Sequence, residues 1–131
     1  MAAESMDRAA GRRRWTALPI IVDVRDRLVP PLFASTDPEP EIYRSVQEFE
    51  NYAEAIDVEN GEWRGYDAAG TQMAMTVERN TVRVLPGIGS TPETLAGWLR
   101  SSVFLKSRRD ATWLARASLE ELVAAFGLED R

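Results

Sequence analysis

Ile56-Asp57-Val58-Glu59-Asn60-Gly61-Glu62-Trp63-Arg64-Gly65-Tyr66-Asp67-Ala68-Ala69-Gly70 is the stretch whose reading decides the fold. A helix ends in it, the chain turns at Asn60-Gly61, and the apolar period then changes from helical to two. Glu62 to Tyr66 is predicted as a strand. Asp67-Ala68-Ala69-Gly70 is predicted as a type I turn, with Gly70 supplying the left-handed residue of a bulge. Residues before the stretch deliver a helix, and residues after it build a sheet. No catalytic or ligand motif lies on it.

Downstream, Thr71 to Glu78 places Met73, Met75 and Val77 on one face and Gln72, Thr76 and Glu78 on the other. Arg79-Asn80 turns into Thr81-Val82-Arg83-Val84-Leu85, giving a three-stranded antiparallel meander with one buried and one wet face. Trp63 and Tyr66 sit three residues apart and point to opposite faces, so one of them is expected to be partly exposed. Pro86-Gly87-Ile88-Gly89 is expected to end the sheet. Thr91 then caps a helix with Pro92 at its first position and Glu93 on its positive end. Leu95, Trp98, Leu99, Ser102 and Val103 form its stripe to about residue 105, and Lys106-Ser107-Arg108-Arg109 complements its negative end. A turn at 111–116 leads to the capping box Ser118-Leu119-Glu120-Glu121 and a last helix from Leu119 to about Phe126, closing on Gly127.

Upstream, Ser45-Val46-Gln47-Glu48 fits a capping box and predicts a helix over roughly 46–55, after a short extended piece at Ile42-Tyr43. Val46, Phe49, Ala53 and Ile56 form its buried stripe, with Glu48, Glu50 and Glu54 facing away. A start at Asp37 with Pro38 as first helical residue competes, but Pro40 would interrupt it. Pro30-Pro31 and Pro38 to Pro40 bracket a loop around Leu32-Phe33 that admits short extended pieces and no helix. Leu18 to Val24 reads as a first strand, with Pro19 at its start or on an edge. Residues 1–14 read as a disordered tail and 15–131 as a single domain. The expected architecture is α+β: the meander with short N-terminal strands, one helix before the sheet, and two C-terminal helices packed on one face.

The 131 residues include no cysteine and no histidine. Disulfides, thiolate nucleophiles, Cys/His zinc sites and imidazole-based triads are thereby excluded. Carboxylate-only chemistry remains, and Asp57, Glu59, Glu62 and Asp67 cluster where the structure changes. A metal or acid–base pair needs inward-facing carboxylates, whereas Asp67 is accounted for by its turn and Asp57 by a cap. Gly87-x-Gly89 before a helix lacks the third glycine and the Lys-Ser/Thr of a phosphate loop. No catalytic residue, metal ligand or cofactor site is therefore assigned. No apolar run approaches a membrane span, and no basic-aromatic pattern marks a nucleic-acid reader, so neither partner is expected. No apolar segment follows the N-terminal Arg run, so a cytoplasmic protein is expected.

Net charge is −5, strongly segregated. Residues 35–62 hold nine acids against Arg44 alone, a balance of −8, while residues 98–116 balance at +4. An acidic block beside aromatic side chains suits a protein partner with a basic concave site, because complementary potentials speed encounter and Tyr and Trp anchor it. The expected contact residues are Glu48, Glu50, Tyr52, Glu54, Glu59, Glu62 and Trp63 or Tyr66.

Ser45-x-x-Glu48, Glu54-Ala55-Ile56-Asp57-Val58, Gly61-Glu62 and Tyr66-Asp67-x-x-Gly70 together resemble the core pattern of small bacterial proteins. These include immunity proteins that neutralise polymorphic toxins. The resemblance covers about residues 42 to 85 and implies a non-enzymatic inhibitor of a cognate toxin, possessing no cofactor. The Ala-, Arg- and Glu-rich composition fits a high-GC bacterium such as an actinomycete. From a second class, a small-ligand or regulatory module would use a pocket between the meander and the C-terminal helices, lined by Met73, Met75 and Trp98. A carboxylate-metal enzyme built on Asp57 is the third reading.

Overall fold

The computed structural model describes residues 27–129, so the expected tail 1–14 and the expected strand Leu18 to Val24 lie outside the described residues. In chain order the elements are β1 (Leu32–Ser35), β2 (Glu41–Tyr43), α1 (Val46–Tyr52), α2 (Ala55–Glu59), β3 (Arg64–Tyr66) and β4 (Thr71–Glu78). They continue with β5 (Thr81–Ser90), α3 (Pro92–Arg100), α4 (Val103–Lys106), α5 (Ala111–Arg116) and α6 (Leu119–Glu129). The strands form one antiparallel five-stranded open sheet in the order β2-β1-β3-β4-β5. The fold is α+β.

Local chemistry sets the quoted stretch. Gly61 N–H donates to Val58 O and Glu62 N–H to Asp57 O, each at 3.0 Å, with Gly61 at φ +70. That pair of bonds is a Schellman closure, and it satisfies the last carbonyls of α2. Four residues after it, the chain bends around Asp67. Gly70 N–H donates to Asp67 O at 3.0 Å, and Gly70 adopts φ +88. Arg79 (φ 51) and Asn80 (φ 63) are both left-handed, giving the tight β4–β5 connection whose twist matches its strands.

The loop expected around Leu32-Phe33 is instead β1, a central strand paired with β2 on one side and β3 on the other. The prolines bracket it without occupying a ladder position. All four of its residues are buried, so it carries no alternation to betray it. Leu32 and Ala34 enter one apolar cluster, with Phe49, Met73, Val82 and Val84, and Phe33 enters the other, with Leu95, Leu99, Leu122 and Phe126. The sheet thus separates two layers: α1 and α2 on one face, α3 to α6 on the opposite face. Four helices follow β5 where two were expected, and the sheet face expected to be wet is covered by α1 and α2.

Other boundaries shift for identifiable reasons. The helix expected over 46–55 breaks at Ala53-Glu54, both of which are extended, and restarts as α2. The break rotates Ile56 out of the stripe and leaves it 61% exposed. The strand expected from Glu62 begins only at Arg64. β5 runs past Pro86 to Ser90 because it is an edge strand, where a missing N–H costs no ladder bond. A register shift between Thr71 and Met73 takes up Gly87-Ile88-Gly89. Thr91 does not cap through its side chain. Its hydroxyl and its N–H both donate to Gly70 O, at 3.0 and 2.8 Å. The helix expected to reach 105 divides, since Ser102 Oγ accepts from Leu105 N and starts α4. Val103, expected in the stripe, is exposed. The turn expected at 111–116 is α5, capped by Asp110, whose Oδ1 accepts from Trp113 N at 2.8 Å. Ser118 and Glu121 bond reciprocally as a capping box, and α6 continues beyond Gly127 to Glu129.

Candidate functional site, an acidic aromatic-walled hollow

The β1–β2 turn and the α1–α2 break face one another across a hollow of about 390 Å³. Its wall carries Asp37 and Glu41 from the turn side, Glu54 and Asp57 from the helix side, and the rings of Tyr52 and Trp63. Each element supplies its residue for a local reason. Ser35 Oγ, buried at the end of β1, donates to Asp37 Oδ1 and accepts from Asp37 N, each at 3.0 Å, which holds the turn closed. Asp37 Oδ1 also accepts from Glu39 N at 3.0 Å. The extended pair Ala53-Glu54 turns the Glu54 side chain outward and re-aims the next helix so that Asp57 lines the same hollow.

The aromatic wall is packed and ordered. Trp63 meets Phe49 edge-on at 4.9 Å and 82°, and Tyr52 at 6.4 Å and 81°. Tyr43 packs on Phe49 at 5.2 Å and on Tyr52 at 5.6 Å. Edge-to-face contacts of this kind fix ring orientation beyond simple area burial. Tyr52 is 63% exposed, so its outer face is open to solvent. The buried Trp63 Nε1–H has no acceptor among the described residues, a local cost of about 1–3 kcal/mol that the rest of the packing offsets.

Tyr43 sits behind this wall, with its hydroxyl donating to Glu41 Oε1 at 2.9 Å. Burial, and after it the hydrogen bond and the charge of Glu41, push that hydroxyl well above its ordinary value of 10.0. The unfolded chain therefore ionises this tyrosine first. Its stabilising contribution is complete below about pH 10 and is lost as pH rises beyond it. Denaturant unfolding between about pH 10 and 12 is expected to lose up to about 1.4 kcal/mol per unit from this group, a slope that Tyr43→Phe removes. An unchanged slope in that variant would refute the assignment.

The structure brings only part of the expected contact set together. Tyr52, Glu54 and Trp63 share the hollow. Glu48 is exposed but committed to capping, accepting from Arg44 N. Glu59 and Glu62 are exposed and do not line it. Tyr66 is buried on the other face, 5.9 Å from Trp98, so Trp63 is the partly exposed member of that pair. Arg64 stacks 4.3 Å above the Trp98 ring beside it, and Trp98 Nε1 donates to Pro38 O at 2.7 Å.

Glu50, expected on the outer face, is only 8% exposed. Its Oε2 accepts from Val84 N at 2.8 Å on the edge strand β5, and Arg83 Nη1 stands 3.7 Å from its Oε1. The carboxylate occupies a ladder position a further strand would need, so it guards the edge against pairing. It belongs to a separate cavity of about 550 Å³ between α1 and the start of β5.

Asp37, Glu41 and Asp57, with Thr36, are the site residues that sequence reading did not assign as contacts. A hairpin assignment for 32–43 would have placed the first two. Asp67 is 1% exposed and accepts from Val29, Ala69 and Thr71 N–H, a structural role throughout. Met73 packs in one core cluster and Trp98 in the other, with the sheet between them. Among the described residues no three metal-ligating side chains converge, and no helix is long and apolar enough to cross a membrane. No family model, curated protein or solved structure matches the chain.

Proposed function

We propose that this protein is a non-enzymatic binding protein whose acidic hollow receives a cationic side chain of a basic protein partner, and that the partner is a toxin it neutralises. The observation that carries this reading is the hollow itself, where four carboxylates from two separate elements surround Tyr52 and Trp63. A guanidinium entering it would meet carboxylate oxygens and the rings of Tyr52 and Trp63, the two kinds of contact arginine makes best. The balance of −8 over residues 35–62 would steer such a partner from a distance, and salt would weaken that steering. The choice of a toxin follows the resemblance of residues 42–85 to small bacterial proteins, some of which are immunity proteins.

Calorimetry with a hexa-arginine peptide tests the site. Wild-type protein is expected to bind it, and Glu54→Lys/Asp57→Lys to weaken binding at least about tenfold, a loss of roughly 1.4 kcal/mol. Glu59→Lys/Glu62→Lys, which changes net charge equally outside the hollow, is expected to weaken it less. Equal losses in the two double variants would reduce the effect to overall charge and defeat the proposal. Co-expression with a basic domain encoded beside this chain tests the toxin identity: rescue of growth by wild type, and none by Glu54→Lys/Asp57→Lys, is the expected result.

A further inference from the structure

On the sheet face opposite the hollow, one arginine is held in place with its charge unmet. Backbone alternation over residues 63–66 sends Trp63 and Gly65 toward the layer of α1 and α2, and Arg64 and Tyr66 toward α3. The Arg64 guanidinium lies 4.3 Å from the Trp98 ring centroid and 5.7 Å from that of Tyr66, and its Nε donates to the Tyr66 hydroxyl at 3.5 Å. The platform beneath it is fixed, because Trp98 is 5% exposed and its Nε1–H donates to Pro38 O at 2.7 Å. Arg64 itself is exposed.

Two kinds of donor are left over at this point. No carboxylate among the described residues pairs with Arg64, and its Nη1 and Nη2 groups donate to none of their atoms. The Tyr66 hydroxyl, in a residue only 6% exposed, accepts from Arg64 and donates to nothing among the described residues. Most buried hydroxyls give a hydrogen bond as well as take one. A guanidinium already stacked on a ring also loses less freedom when it binds.

The surroundings select the occupant. A carboxylate brings two oxygens in one plane, the shape that matches a guanidinium fork. Asp37 and Glu39 flank Pro38, whose carbonyl is bonded to Trp98, so an incoming anion approaches beside acids. A dianion such as phosphate would meet about twice the repulsion of a monoanion there. Arg64 lines neither of the two cavities described above, and a free small molecule would bury little of its area without such a concavity. An exposed arginine resting on a tryptophan is instead the kind of anchor that protein interfaces use.

We propose that Arg64 and Tyr66 receive an acidic side chain, glutamate or aspartate, of a protein partner. The site lies across the sheet from the hollow and takes the opposite charge, so it does not depend on what the hollow binds.

Amide and side-chain ¹⁵N–¹H spectra recorded with a single blocked glutamate, N-acetyl-glutamate α-amide, at an ionic strength of about 20 mM test it. The Arg64 Nε–H and Trp98 indole resonances are expected to shift on one saturation curve, with the Trp63 indole in place. Arg64→Gln is expected to weaken binding at least about tenfold, and Tyr66→Phe, which keeps the ring against Trp98, roughly threefold. Arg64→Lys keeps the charge without the fork and should recover only part of the loss. If Arg64 served solely to cover Trp98, the blocked glutamate would shift neither resonance, and that result overturns the proposal. Arg64→Gln binding as tightly as wild type, or inorganic phosphate shifting the same resonances at equal or lower concentration, would overturn it too. Hexa-arginine reads the hollow separately through Trp63, so failure of one site is distinguishable from failure of the other.

Discussion

Asp67→Ala is expected to lower the unfolding free energy by about 3–5 kcal/mol, enough to remove much of the stability of a domain this size. The carboxylate is 1% exposed and its two oxygens accept from three backbone amides: Val29 N at 2.9 Å, Ala69 N at 3.0 Å and Thr71 N at 2.8 Å. Truncation takes the acceptor from all three part-buried donors and leaves a void at the buried Asp67 position, and each lost donor partner costs up to about 1–3 kcal/mol with incomplete additivity. The loss is also topological. Val29 leads into the central strand β1, and Thr71 opens β4, so one side chain ties the β3–β4 turn to the strand that enters from 38 residues earlier. Asp67→Asn keeps the volume and one acceptor but presents an amide to one of the donors, so an intermediate loss is expected. Guanidinium denaturation with an unchanged m-value measures both, and a loss below about 1 kcal/mol in Asp67→Ala would show that the carboxylate does not hold the turn.

Gly70→Ala carries the second large effect, and Gly61→Ala is its control. Both glycines are left-handed, at φ +88 and φ +70. At Gly61 a Cβ meets nothing within 4 Å, so only the conformational cost of about 1–2 kcal/mol applies. At Gly70 a Cβ would stand 2.4 Å from Pro92 Cα and 2.7 Å from Pro92 N. Those are backbone atoms at the first position of α3, and no rotamer change relieves the clash. The whole start of α3 must move, breaking the two bonds Thr91 donates to Gly70 O. A loss of about 3 kcal/mol or more is expected at Gly70, against the smaller figure at Gly61. Equal losses at the two positions would mean that the close approach of α3 to the turn is not part of the native packing.

The parts of this fold legible in the sequence are those where a local chemical rule acts alone. Ser45 with Glu48, Ser118 with Glu121, Gly61 after α2 and Gly70 after Asp67 all read from spacing, because their partners lie within four residues. What escaped depends on distant partners. β1 hides between prolines because a strand buried on both faces shows an apolar run rather than alternation. Glu50 looks like a surface acid on its helix, and its burial is decided by Val84 N–H, 34 residues away. Tyr66 and Trp63 read as equivalent candidates until the second helical layer covers Tyr66. The hollow combines both kinds of information. The acidic block and its aromatic neighbours are visible in the sequence, but the facing of Asp37 and Glu41 to Glu54 and Asp57 requires the β1–β2 hairpin.

The hollow is the central functional claim, and the Trp63 indole reports on it most directly. The chain has four tryptophans, at positions 15, 63, 98 and 113, so indole N–H resonances in a ¹⁵N–¹H correlation spectrum are few and assignable by single Trp→Phe replacements. Titration with hexa-arginine peptide is predicted to shift the Trp63 indole and the amides of residues 52–57 together, with one saturation curve, leaving the Trp98 indole in place. A Trp63 indole unmoved at saturation, with shifts spread evenly over the acidic surface, would contradict the account.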